Sequence, residues 1–272
     1  MLATALPALL PLVDKTEPYP APGPQDFRFG VLYHLTVGGH DLVVINKTTL
    51  LVAFAGLLAC GIFLVGFRKP QLVPRGAQNV AESLYDFVDQ QIAREVIGKE
   101  GYKYAPYLTL LFVFVLINNL FGVLPVAQFP TNSRIAFPLI LAVISWIMFN
   151  LVGIRKHGAG AYFHEMAAPA PTAPLPIKMI LAPIEILSTL IVRPFTLAVR
   201  LFANMFAGHL LILVFTLGVT YNLPRGPIQV GVGAVSFVVT AALTVFELAI
   251  EAIQAYIFTI LTAAYIAGAM EH

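Results

Sequence analysis

From Ala234 to Ala267 the chain runs for 34 residues without a glycine or a proline, and its only charged residues there are Glu247 and Glu251. At about 1.5 Å per residue this is about 51 Å of helix, against a bilayer core of about 30 Å. A hairpin would need a turn, and no turn signal interrupts the stretch. The sequence therefore predicts one continuous membrane helix, inclined well beyond the usual tilt of about 20°.

The rest of the chain agrees with a membrane fold. Of 272 residues, 58% are hydrophobic and 11% are charged, against about 25% charged in an ordinary soluble domain. Apolar runs cover residues 48–67, 105–127, 135–154, 179–217 and 228–270, each long enough to be a span. The expected fold class is an all-α integral membrane protein, one membrane domain over residues 1–272. It has five membrane-embedded helices, the last two long and strongly inclined, and one amphipathic helix on the inner surface. Residues 1–41, with Pro18, Pro20, Pro22 and Pro24, read as an irregular outer tail. Met1–Val13 is apolar but lacks the basic start of a secretory signal. The net charge of +2 excludes an electrostatic case for nucleic acid, and the lone Cys60 excludes disulfide, zinc and iron–sulfur readings.

Basic residues set the orientation. Arg68, Lys69, Arg75, Arg94, Lys99 and Lys103 lie between the first and second runs, and Arg155, Lys156 and Lys178 between the third and fourth. The alternate loops offer only Arg134 and Arg225, so the N-terminus is expected outside and His272 inside. In residues 75–98, Val80, Leu84, Val88, Ile92 and Val96 repeat every four residues, with Glu82, Asp86, Asp89 and Glu95 elsewhere. This is the amphipathic helix; its negative charge argues for packing against the bundle or a partner. Ala168–Pro176 reads as a semi-rigid connector.

Charges inside spans cost about 2.5–3.5 kcal/mol each at a helix centre. The fourth run nevertheless holds Glu185, Arg193, Arg200 and His209, with Asn204 one turn beyond Arg200. The fifth holds Glu247, Glu251 and Gln254, whose spacing places them on one helix face. Arginine keeps its proton at every relevant pH, so a buried permanent cation opposite titratable groups is what interrupts an ion pathway. Arg193, beside Pro194, reads equally as an interfacial anchor, and Glu185 as a snorkelling or capping residue. Asn118 and Asn119 read as interhelical hydrogen-bonding amides, and Trp146, Cys60, Tyr256 and Tyr265 as packing.

Two stretches carry a resemblance. Pro194-Phe-Thr-Leu-Ala-Val-Arg200-Leu-Phe-Ala-Asn204-Met-Phe-Ala-Gly208-His209 resembles the arginine-bearing helix of the a-subunit family of F-type ATP synthases. Phe246-Glu247-Leu-Ala-Ile-Glu251-Ala-Ile-Gln254-Ala-Tyr256 resembles that family's final helix. The likeness is specific from about residue 179 onward and topological before it.

The resemblance implies a stator subunit that forms two offset proton half-channels against a rotating ring of c subunits. Its partners would be that c-ring, b-type peripheral stalk subunits, the rest of the synthase, membrane lipid and protons. It calls for no cofactor and no nucleic acid. The chain would be non-catalytic by itself, and it contains no phosphate-binding Gly-x-x-x-x-Gly-Lys-Ser/Thr loop. The location would be a bacterial plasma membrane or an energy-coupling inner membrane. By matching positions, Arg200 is the essential arginine, Asn204 and Gln254 are conserved amides, and His209 and Glu247 join them in proton translocation; Glu251, one turn beyond Glu247, is a further candidate. Glu185 and Arg193 are candidates for the inner half-channel.

Departures from the family pattern are specific. Many bacterial members carry glutamate at the His209 position and histidine at the Glu247 position, whereas the mitochondrial-like form has the arrangement seen here. Glu185 precedes Pro194 by nine residues instead of the family's eight, and Glu251 is additional. Two other functions stay open on the residues alone. A proton-coupled secondary transporter also buries Arg, His and Glu, but shows paired repeats that are not visible here. A structural anchor has no reason to keep Arg200 and the carboxylates.

Overall fold

The computed structural model describes residues 19, 22–23, 31–37, 40–124, 131–167, 175–222 and 226–271. Two compact units are formed: residues 1–28 with 207–249, and residues 29–206 with 250–272. The expected irregular tail over residues 1–41 instead ends in a β-hairpin. Val31–Val37 (β1) and His40–Asn46 (β2) pair antiparallel, Val37 opposite His40 and His34 opposite Val44. The signal was there: two β-branched-rich runs flank Gly38–Gly39, a hairpin pattern.

Every other long element is helical, as an all-α membrane protein requires. Helix α1 (Lys47–Gly66) starts at Asn46, whose Oδ1 accepts the Thr49 N–H at 2.9 Å and so satisfies a donor that the first turn leaves free. Helix α2 (Ala77–Val88) follows Gly76 and continues as a π-helical segment, Asp89–Ile97. A 3-10 turn, Gly98–Lys103, leads to α3 (Ala105–Leu120). Then come a short turn Thr131–Ser133, α4 (Ala136–His157) and α5 (Ala159–Ala167). Helix α6 (Leu175–Leu187), a π turn (Ser188–Val192) and α7 (Arg193–Asn222) form one apolar run. The last helix, α8 (Pro227–Glu271), is continuous over 45 residues.

Among the described residues, four helical runs are long and apolar enough to cross a membrane: Lys47–Gly66, Ala136–His157, Met179–Asn222 and Pro227–Met270. The expected run 105–127 is described as far as residue 124, and that part is α-helical over the 16 residues of α3, about 24 Å. Its end tightens through i→i+3 bonds, Gly122 N–H to Asn119 at 2.8 Å and Val123 N–H to Leu120 at 3.2 Å. Pro125 lies just beyond, and a residue before proline is pushed out of the helical region. Residues 168–174 of the expected connector lie outside the described residues, and the helix has already begun at Leu175.

The amphipathic segment packs against α1 and α3. A strict four-residue repeat drifts by about 40° per step on an α-helix. Val80 is accordingly 52% exposed while Ala81 is fully buried. Ala81 meets Gly66 of α1 so closely that a Cβ at Gly66 would lie 2.7 Å from the Ala81 Cβ. The wider π turn then keeps Val88 and Ile92 in the core. It also sets Asp89 and Arg94, five apart, in a 2.7 Å ion pair. Helix α4 ends at Gly158, whose φ of +83° suits glycine. Lys156 in its last turn donates to the Met270 carbonyl of α8 at 2.7 Å, a cation at the negative end of that helix.

Candidate functional site

Glu185 and Arg193 meet. Arg193 Nη2 donates to Glu185 Oε1 at 2.9 Å, and its guanidinium lies 5.6 Å from the centre of the Tyr265 ring. The Thr189 hydroxyl also donates to Glu185, at 3.3 Å. On a regular α-helix, residues eight apart face about 80° away from each other. The π turn Ser188–Val192 absorbs one residue without advancing the face. Glu185 and Arg193 thereby behave as residues seven apart, about 20° from alignment. The one-residue departure in register is taken up here. The contact joins the two residues that the sequence offers separately as an interfacial anchor and a snorkelling or capping acid.

Arg200 and Asn204 stand one turn apart on an exposed strip of α7, with Ala203 between them. The other side of that helix, Leu197, Ala198, Leu201 and Met205, is buried. Arg200 forms no ion pair among the described residues. Asn204 Nδ2 donates to Gln254 Oε1 of α8 at 2.6 Å. Gln254 and Glu251 are buried at 1% and 0% exposure, on the face of α8 predicted from their spacing. The Gln254 Nε2 has no hydrogen-bond partner among the described residues.

In the other unit, α7 and α8 bring Glu247 against Gly208. Glu247 is 5% exposed, and neither carboxylate oxygen has a hydrogen-bond partner among the described residues. A Cβ at Gly208 would lie 2.8 Å from Glu247 Oε1, so any larger residue there would make the Glu247 carboxyl group shift from this position. His209, the next residue on α7, is half-buried.

A buried amide network was only partly visible in the sequence. Asn119 Nδ2 donates to the Glu251 carbonyl at 3.1 Å, and Asn132 Nδ2 donates to Asn119 Oδ1 at 2.7 Å. The Thr131 hydroxyl donates to Asn118 Oδ1 at 2.7 Å. Asn119 is thus an interhelical hydrogen-bonding amide as expected, whereas Asn118 donates within its own helix to the Phe114 carbonyl at 2.8 Å and accepts from the Thr131 turn. Thr131 and Asn132 read as turn residues, and nothing in their local pattern announced that they close onto α3. Among the described residues, no three His, Cys, Asp or Glu side chains gather as a metal site.

Long apolar helices, an exposed permanent cation inside one of them and a row of buried carboxyl and amide groups on another define an integral membrane protein that handles charge within its spans. Comparison with known proteins places it further. Residues 49–267 match the family model for the ATP synthase A chain. The chain is 57% identical to the ATP synthase subunit a of Frankia alni, over 94% of this chain and 88% of that one. It is 42% identical to the subunit a of Streptomyces lividans, over 93% and 89%, and 39% identical to that of Hyphomonas neptunium, over 87% and 90%. The chain belongs to the ATP synthase A chain family, which sets aside the secondary-transporter alternative.

Proposed function

We propose that this chain is the proton-translocating stator subunit of the membrane sector of an F-type ATP synthase, working beside a c-ring. The observation that carries this is Arg200: a permanent cation, exposed on an apolar helix, that forms no ion pair among the described residues. Its cost in a membrane is offset when a partner's carboxylate faces it. A ring of c subunits, each with a mid-membrane carboxyl group, supplies that partner one subunit at a time. Moving one charge through 100 mV is worth about 2.3 kcal/mol. The energy is harvested only if protons go by way of the rotor, and the Arg200 charge bars the direct route.

In this scheme His209 and Glu247 serve the outer half-channel, with Glu251 one turn further along α8. Asn204 and Gln254 order the passage beside Arg200, and Glu185 with Arg193 line the inner half-channel. The chain acts in the synthase without catalysing phosphoryl transfer, and b-type stalk subunits hold it still. It sits in a bacterial plasma membrane or an energy-coupling inner membrane, N-terminus outside and C-terminus inside, with α2 on the inner surface. Helix α8, about 68 Å long at 1.5 Å per residue, lies steeply inclined along the ring.

The test is ATP-driven proton pumping in inverted vesicles. Arg200→Ala should abolish pumping while the complex still copurifies with its c-ring and soluble head. Normal pumping by the assembled variant would overturn the assignment.

A further inference from the structure

The contact between Glu185 and Arg193 depends on a backbone register that the helix itself does not favour. In the π turn the Arg193 N–H donates to the Ser188 carbonyl. In an α-helix that N–H would go to Thr189. The π register therefore takes from the Thr189 carbonyl its ordinary donor. The residue five beyond Thr189 is Pro194, which has no N–H to offer in replacement. Thr189 is 3% exposed, so burial also denies its carbonyl bulk water.

The missing donor comes from another helix. Trp146 of α4 points its indole N–H at the Thr189 carbonyl, 3.1 Å away. Indole nitrogen is a donor only, and this carbonyl is its partner. The same turn carries the Thr189 hydroxyl bonded to Glu185 and ends at Arg193. We propose that Trp146 is a positioning residue: its N–H holds the π register of Ser188–Val192 and so keeps Glu185 against Arg193. Without that donor, a return to the α register gives the Thr189 carbonyl the Arg193 N–H and passes the orphan made by Pro194 to Leu190, which is 37% exposed. Glu185 then turns away from Arg193 by about 100°, the step of one residue on an α-helix. The functional consequence rests on the inner half-channel role proposed above for Glu185 and Arg193; the structural one does not.

The experiment uses the whole synthase complex and two changes in combination. Trp146→Phe keeps the ring and removes the donor. Deletion of Ser188 removes the surplus residue, so that a regular α-helix sets Glu185 and Arg193 seven apart, keeps Arg193 four after Thr189 and no longer needs the π turn. Pumping per assembled complex should fall on the order of tenfold in Trp146→Phe, the population shift expected when one buried hydrogen bond is lost. The Ser188 deletion should retain most activity, and adding Trp146→Phe to it should change little, because the Thr189 carbonyl then accepts from the Arg193 N–H. Equal losses from Trp146→Phe in both backgrounds would mean that the ring only packs, and would overturn the proposal. A cryo-EM map of the assembled Trp146→Phe complex reads the register directly, including where the deletion fails to assemble. An α-helical turn with Glu185 parted from Arg193 supports the proposal, and an intact π turn with the contact kept overturns it. An altered register with full pumping would instead remove Glu185 from the proton path and leave the positioning role standing.

Discussion

Asn204 of α7 donates to Gln254 of α8 across 2.6 Å, joining an exposed side chain beside Arg200 to a fully buried one beside Glu251. This polar tie joins the helix that carries the permanent cation to the helix that carries the buried acids. Gln254 is 1% exposed, so removing the Asn204 donor leaves its Oε1 buried without that bond.

Asn204→Leu and Gln254→Leu should therefore each slow pumping, with loss of about 1–3 kcal/mol where a buried polar group is left unpaired. The double change to leucine should be no worse than the poorer single, because the two losses are one contact. Pumping rates and thermal stability of the four purified complexes measure the coupling. Fully additive losses would show that the two amides act separately.

Arg200→Lys should fail nearly as badly as Arg200→Ala. A compact ammonium lacks the planar guanidinium fork, and its pKa shifts readily when it is desolvated. The comparison is ATP-driven pumping against ATPase activity in assembled complexes. Pumping by the lysine variant at more than about half the wild-type rate would show that charge alone suffices, contrary to the geometric part of the argument.

Gly208→Ala should impair pumping because its methyl group would press on the Glu247 carboxyl group. Glu247→Asp, shorter by one methylene, should restore part of the loss in that background while lowering activity on its own. A Gly208→Ala complex that pumps normally would mean that Glu247 moves aside at no cost.

His209→Glu and Glu247→His should each impair pumping by leaving two acids or two bases on the proposed outer path. The double exchange should recover part of it if one imidazole and one carboxylate are what the path needs. Histidine's ordinary pKa of about 6.5 suits proton exchange near neutrality. A double variant as poor as the sum of the singles would separate the two residues and favour Glu251 as the proton-accepting carboxylate.

Helix α8 should lie more than about 40° from the membrane normal, since about 68 Å of helix must fit beside a core of about 30 Å. Spin-label depth measurements at successive exposed positions, such as Phe237, Val245 and Ile253, read the tilt. A depth profile rising by the full 1.5 Å per residue would mean an upright helix that leaves the bilayer.

The sequence by itself determined the helices and their polar faces. Length without glycine or proline made α8 one helix, and the spacing of Glu247, Glu251 and Gln254 placed them on one buried side, because both are properties of a single local backbone. It also marked Arg200, since an arginine in an apolar run is costly wherever the run packs. The tertiary structure alone decided the partners. Asn132 reaches Asn119, Asn119 reaches the Glu251 carbonyl, and Trp146 reaches that of Thr189, each across segments that share no sequence period. The π turn belongs with these. Side-chain pattern reports which face is apolar, but a carbonyl that loses its donor to a neighbouring register, and the indole that replaces it, exist only once α4 and α6 lie together.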